Sequence, residues 1–222
     1  AVAAQSGLYA TFLPKPLPSA PGSGLHLSIS IVKDGKNLFH PSFADAAEGR
    51  SFVAGILRRA AEMTAFGNPL TNSYLRLGEF EAPKYITWSH RNRSPLISVP
   101  LTGGGQANRM KVRAFDGCIN PYIVFALLIH AGLDGMEQRL PLAPACDENL
   151  FTAPDTVRAQ YEALPGSLCD AIRCAEDSTF ITRYLPAKAR EAFFAAKQAE
   201  HDRIALADDR IAAERILYFE RY

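Results

Sequence analysis

Residues 21–31, PGSGLHLSISI, constrain the fold of this chain more than any other stretch. Gly22 and Gly24 permit a tight turn that side chains would obstruct. Strict alternation follows. Leu25, Leu27, Ile29 and Ile31 share one face of a strand, and His26, Ser28 and Ser30 share the other. At about 3.3 Å rise per residue, His26 and Ser28 stand about 7 Å apart along the polar face. Two readings of these residues stay open: a solvated edge strand carrying one histidine, or a strand lining a polar cavity.

Strands come first in this chain and helices last, which gives an α+β class: an antiparallel sheet with flanking helices and a helical C-terminus. Residues 1–10 read as a frayed lead-in. Residues 9–13 are a short strand candidate stopped by Pro14, Pro16 and Pro18. Residues 25–32 form the central strand, and Asp34-Gly35 punctuates a turn over 33–37. Apolar residues at helical spacing predict a helix over 51–64, ended by Asn68-Pro69. Residues 67–83 read as a polar loop. Further strands are predicted over 84–88, 96–101 and 110–115, with a flexible GGGQAN segment at 103–108. Asn120 and Pro121 start a helix over 121–131, apolar nearly all round and hence expected to be buried, with Gly132 and Gly135 closing it. His130 within it reads as a histidine satisfied by a hydrogen bond near the helix end. Residues 137–166 read as loop, and helices are predicted over 167–178, 187–206 and 209–221.

Several function classes are disfavoured by composition. Twenty-four basic and 23 acidic residues leave a formal net charge of +1, so no bulk field points to nucleic acid or an anionic membrane. The longest apolar run, 122–129, is too short to span a bilayer. Cys118, Cys146, Cys169 and Cys174 form no CxxC pair; free thiols in a reducing, cytoplasmic compartment are expected. With 222 residues, 48% of them hydrophobic, the chain can bury a sizeable core, and one domain is expected.

Other motifs accompany the central strand in a fixed order: TFLPKP before it, KDGKNLF after it, then GILRRAAEMTAFGNPLTNSYLRL, EAPKYITWSHRNRS and FDGCINPYIVFALLIHAGLDGM. In order and spacing they resemble the catalytic domain of the glutamine synthetase family, from about residue 11 to about 136 and more weakly to the C-terminus. The resemblance covers the second half of that domain. Residues 1–222 would then be its C-terminal portion: lead-in 1–10, site-bearing sheet and helices 11–136, loop and helical C-terminus 137–222. The chain does not begin with Met and starts where the family is mid-domain, so an incomplete and, by itself, inactive catalytic domain is expected.

Members of that family join ammonia to glutamate, using ATP to form a γ-glutamyl phosphate, with divalent Mg2+ or Mn2+ between ATP and the amino acid. Such chemistry needs carboxylates and a histidine for metal, and arginines to neutralise phosphate oxygens. By this resemblance His26 is a metal ligand, and Arg93 in NRS contacts nucleotide phosphate. Arg76 in SYLRL contacts the amino-acid carboxylate beside Gly22, and Arg113 in KVRAFD engages phosphate or product. Glu81 in FEAP is the flap residue that helps deprotonate ammonium. Ser28 and Lys111 occupy nucleotide- and metal-facing positions. The full-length protein is expected to form a ring homo-oligomer, which these residues alone would not close, and its partners are small molecules, glutamate or an analogue with ammonia or an amine.

Departures from the family pattern fall at chemically sensitive points. The family's Asn before the glycine is Pro21, which has neither an amide side chain nor a backbone N–H. The second histidine of its HxH is Ser28, and the arginine of its IRIP is Ser98. The metal-binding glutamate of its ExR is Lys111, and the flap, 76–81, is one residue shorter. Either the second metal is absent, or Lys111 turns aside, or Lys111 neutralises phosphate in the metal's place. A γ-glutamyl ligase for another amine or acid, and a non-catalytic protein that kept the fold, are the rival readings.

Some bacterial members are switched by adenylylation of a tyrosine in KNLYDLPPE. The matching stretch, ENLFTAPDT (148–156), carries Phe151 there, and phenylalanine has no hydroxyl to attack the nucleotide. Incubation with an adenylyltransferase and ATP is expected to leave the intact mass unchanged; an added AMP on Tyr161 or its neighbours would contradict this.

Overall fold

The computed structural model describes residues 2–39, 43, 46–100, 108–219 and 221. After a short helix, α1 (Val2–Gln5), come β1 (Leu25–Ile29), β2 (Val32–Lys33) and β3 (Lys36–Asn37). Next are α2 (Ala47–Arg58), α3 (Ala60–Gly67) and α4 (Thr71–Tyr74), then β4 (Trp88–Ser89), β5 (Ile97–Ser98) and β6 (Met110–Phe115). The remainder is α5 (Pro121–Glu137), α6 (Asp155–Arg158), α7 (Leu168–Glu176), α8 (Thr179–Tyr184), α9 (Ala187–Ala205) and α10 (Arg210–Tyr218). The class is α+β, as the sequence predicts.

The main sheet runs β1-β6-β5-β4, antiparallel except for β4, which lies parallel to β5. β6 spans the residues predicted for it. Its inward side chains Met110, Val112 and Ala114 are buried in the core, while Lys111 and Arg113 alternate onto the opposite face. β2 and β3 form a hairpin around Asp34 and Gly35, whose φ of +52° and +74° suit the two-residue turn the Asp-Gly pair predicts.

Several elements differ from the sequence reading for identifiable reasons. Residues 9–13 form no strand. Pro14, Pro16 and Pro18 cannot donate to a ladder, and Tyr9 instead stacks on Phe219 at 4.7 Å. Residues 84–88 supply only Trp88 to the sheet, because Lys84 and Ile86 bond the chain at 162–164 through Leu164 N to Lys84 O and Ile86 N to Glu162 O, each 2.8 Å. The 67–83 loop contains α4, and the 137–166 loop contains α6. The predicted helix over 51–64 begins earlier, ends later and breaks at Arg59 into α2 and α3. Of the strand predicted over 96–101 only Ile97–Ser98 is regular, and residues 101–107, including most of GGGQAN, lie outside the described residues.

Asn120 caps α5 as expected, its side chain accepting from the amides of Tyr122 and Ile123. Gly132 and Gly135, however, do not end the helix. They lie where α5 crosses α2, with backbones too close for a side chain. A Cβ on Gly135 would meet Ser51 O at 2.2 Å, one on Gly55 would meet Ala131 O at 2.1 Å, and one on Gly132 would enter the Phe52 ring. Nor is α5 buried all round: Tyr122, Phe125, Ile129 and Leu133 form an exposed stripe at helical spacing. His130 stacks on Tyr184 with ring centroids 3.9 Å apart. All four cysteines are free thiols, as expected.

Since the obstruction at Gly55 is backbone on both sides, overpacking there has no flexible group to absorb it. Gly55→Ala is expected to cost about 2–3 kcal/mol and lower the Tm by roughly 4–12 °C. Gly117→Ala, where a Cβ would meet nothing within 4 Å, is the control expected to leave the Tm within about 2 °C in the same thermal melt.

Candidate active site

Strand register places the polar residues of the sheet in a single row. Ser28 pairs with Lys111, Lys111 with Ser98, and Ser98 with Ser89, so one row crosses all four strands. With strands about 4.8 Å apart, Lys111 stands between two serines on a face shared with Arg113, whose Nε donates to Ser98 Oγ at 3.1 Å. Between Leu25 and Leu27 the β1–β6 register slips by one residue, so that Arg113 and Ala114 of β6 together stand opposite His26. Three positions where the sequence departs from the family pattern, Ser28, Ser98 and Lys111, are therefore immediate neighbours. Only the register shows this, because they lie far apart in the chain.

Arg76 lies beneath this wall. It is 4% exposed, and its Nη2 donates to Asn68 Oδ1 (3.1 Å), Ala114 O (2.5 Å) and Phe115 O (3.1 Å). Cβ atoms on Gly22 and Gly24 would strike its side chain, at 2.9 Å from Cγ and 3.2 Å from Nη1. Gly22 is held tighter still by backbone, where a Cβ would meet Pro14 O at 2.5 Å, while at Gly24 the guanidinium end of Arg76 would have to give way; neither glycine has a positive φ. Arg76, expected from sequence to grip a substrate carboxylate, lies against the glycine turn and is bonded through Nη2 to the end of β6. Pro14 also touches the turn, its O accepting from Ser23 N at 2.7 Å.

Two further segments bring charge to the face. The flap leaves Arg76 through Glu79 N to Arg76 O (3.2 Å), closes through Gly78 N to Ala82 O (2.9 Å), and needs φ of +88° at Gly78 and +53° at Phe80. It presents Glu81 to solvent, 3.7 Å from Arg93 Nη1. Arg93 stands on a turn pinned by Asn92, whose Nδ2 donates to Cys146 O (2.9 Å) and Glu148 O (3.1 Å) and whose Oδ1 accepts from Ser94 N (3.0 Å). Sequence reasoning missed Asn92 and also Lys15. Buried Lys15 reaches Glu79 at 3.2 Å and lies 4.3 Å over the Phe80 ring, anchoring the flap. The proline-flanked lysine of TFLPKP was the available signal.

The charges that act on His26 are all positive. His26 is held below its ordinary value of 6.5, first by partial burial and then by Arg113, Lys111, Arg76 and Arg93. Burial, then Arg93, also lowers Arg113, which Glu81 partly offsets. Such a donor set does not fit a divalent cation. Among the described residues no three His, Cys, Asp or Glu side chains gather as a metal-binding group, and His26 has cations rather than carboxylates for neighbours. A divalent ion about 4 Å from one ammonium would be repelled by about 8 kcal/mol at an effective dielectric of 20.

The sign of the His26 effect is fixed. Its folded value lies below the unfolded one, so its stabilisation is complete above pH 6.5 and is lost as pH falls below 6.5 through the folded value. In an NMR titration of labelled histidines, His26 is expected to titrate below 6.5, and Arg113→Met is expected to raise its midpoint. A midpoint at or above 6.5 in the unsubstituted protein would contradict the arrangement.

Comparison with known proteins agrees with the motif pattern. The family model for the glutamine synthetase catalytic domain matches residues 1–216. A glutamine synthetase from Pyrococcus furiosus is 43% identical over 188 residues, covering 83% of this chain and 43% of that protein. One from Methanosarcina mazei is 37% identical over 207 residues, covering 90% and 46%. A solved GmaS/ADP complex superposes with a TM-score of 0.82 at 31% identity, over 99% of this chain and 51% of that one. Apo GmaS gives 0.79 at 32% identity, over 96% and 49%. This chain spans less than half the length of the curated relatives it matches. On the matched span, the shared identity and the common fold, the chain belongs to the glutamine synthetase family, within its catalytic domain.

Proposed function

We propose that the full-length protein is an ATP-dependent carbon–nitrogen ligase that makes glutamine from glutamate and ammonia through γ-glutamyl phosphate, and that these residues form the phosphate-facing part of its site. The observation that carries the reading is the convergence of His26, Lys111, Arg113 and Arg93 on one sheet face, with Glu81 beside Arg93 at its edge.

In this reading the substrate's γ-carboxylate attacks the γ-phosphorus of ATP and ADP leaves. Arg113, Arg93 and Lys111 offset the charge gathered on the transferred phosphoryl group. An amine then attacks the acyl carbon, inorganic phosphate departs, and Glu81 accepts the proton the amine must lose. Ser28 hydrogen-bonds a phosphate oxygen. Gly22 brings backbone close to the amino acid, and Arg76 acts as a positioning residue that fixes that glycine turn from below. His26 closes the phosphate end of the face, and any metal it meets needs its carboxylates from outside these residues.

A second reading has a specific observation behind it. Pro21 offers no amide to an amino-acid substrate, and Arg76, 4% exposed, is bonded to protein carbonyls. Both favour a γ-glutamyl ligase with a different amine or acid. Isotope-labelled ATP turnover by the full-length protein, with glutamate and a panel of amines, decides between them. ADP release that needs glutamate and ammonia supports glutamine formation, and release that needs another amine supports the second reading. Arg113→Met is expected to lower either rate roughly a hundredfold. No substrate-dependent ADP release with any amine would overturn both.

A further inference from the structure

We infer that Lys111 is a built-in cation for a nucleotide polyphosphate, supplying positive charge that a divalent ion would otherwise supply. The inference rests on the ATP-dependent reading above and concerns the same face.

Lys111 sits at the centre of the Ser28–Lys111–Ser98 row, half-buried, on the strand face that also carries Arg113. Among the described residues it makes no ion pair, and neither does Arg113, whose one hydrogen bond is from Nε to Ser98 Oγ. Both cations therefore keep their outward donors free, two residues apart on one face of a strand. Serines on both sides add neutral hydroxyls and no opposing charge. The carboxylate of this cluster, Glu81, is exposed and faces Arg93 at 3.7 Å, so it leaves Lys111 uncompensated. A face with unpaired ammonium and guanidinium groups and flanking hydroxyls suits a ligand with several anionic oxygens. A carboxylate at 111 would reverse this, pairing with Arg113 or inviting a metal ion. Lysine at that place lets the face bind phosphate without a divalent ion.

The test uses full-length protein, ATP in EDTA, and a non-hydrolysable ATP analogue with Mn2+. Calorimetry is expected to show ATP binding in EDTA within about tenfold of that in excess Mg2+. Lys111→Met is expected to lose roughly tenfold to a hundredfold in EDTA, and Lys111→Arg to stay within about threefold. Electron paramagnetic resonance is expected to count one more Mn2+ per subunit in Lys111→Glu with the analogue than in the unsubstituted protein. Unchanged affinity in Lys111→Met, no ATP binding in EDTA, or equal Mn2+ counts would each overturn the inference. Circular dichroism melts confirm that each variant is folded. The ligase reading is scored apart, by substrate-dependent ADP release. Turnover with an unchanged Lys111→Met affinity defeats this inference alone, whereas ATP binding with no turnover on any amine defeats the ligase reading alone.

Discussion

A buried guanidinium organises this part of the fold. Arg76 is taken out of water, where a charge is costly unless its donors find acceptors; Nε has none, while Nη2 finds three. Two of them are the carbonyls of Ala114 and Phe115, at the end of β6. The same side chain lies against Gly22 and Gly24: a β-carbon on Gly22 would meet both it and the Pro14 carbonyl, and one on Gly24 would press on its Nη1. The glycine turn, the arginine and the end of β6 are therefore one unit, and β1 starts directly from it at Leu25. That unit pins the β1–β6 register at one end, and a slip of one residue would move Ser28 away from Lys111 and turn His26 into the core.

The flap hangs from the same residue. Arg76 O accepts the first turn bond, and the loop closes in few residues because Gly78 and Phe80 adopt left-handed backbone. For Phe80 that conformation costs about 1–3 kcal/mol, offset where surrounding contacts fix it. Here the ammonium of buried Lys15 lies over the ring and bonds Glu79. Lys15 is itself fixed through its backbone by Asn72, its N donating to Oδ1 at 2.6 Å, and Asn72 Nδ2 donates to Glu214 of α10 at 2.7 Å. A C-terminal helix thus steadies the loop that presents Glu81, without any side chain of that helix standing on the charged face.

Legibility in the sequence followed the range of the forces involved. β6, the Asp-Gly hairpin and the Asn120 cap depend on neighbours in the chain, and alternation or cap chemistry was enough to place them. The short strands β4 and β5 were overcalled because residues 84–88 and 96–101 have strand-like composition, yet their partners are decided by segments far away, such as 162–164. Gly132 and Gly135 carry the composition of a helix end and serve a helix crossing, a distinction that depends on the facing Gly55. For the site, His26, Arg93, Arg113 and Glu81 were named from motifs, and they do lie in one region. What no motif could show was the depth of Arg76, since burial of an arginine depends on three acceptors that the sequence does not align with it.

The near-zero net charge of the whole chain conceals a strongly polarised sheet face. Alternation on a strand puts residues i and i+2 on the same side at about 7 Å, so Lys111 and Arg113 cannot avoid one another by any rotation of β6. The flanking strands could have relieved this with a carboxylate opposite Lys111, but both partners in the row are serine. Like charges held together in this way destabilise a fold unless something outside it supplies the counter-charge. The fold bears that strain because the face is open: His26 and Ser28 are exposed, Lys111 and Arg113 half-buried, and water screens the repulsion. An anion that displaces the water gains from cations already in position, with little reorganisation left to do. Register, alternation and the choice of serine over carboxylate together gather the cations of a balanced chain on one sheet face.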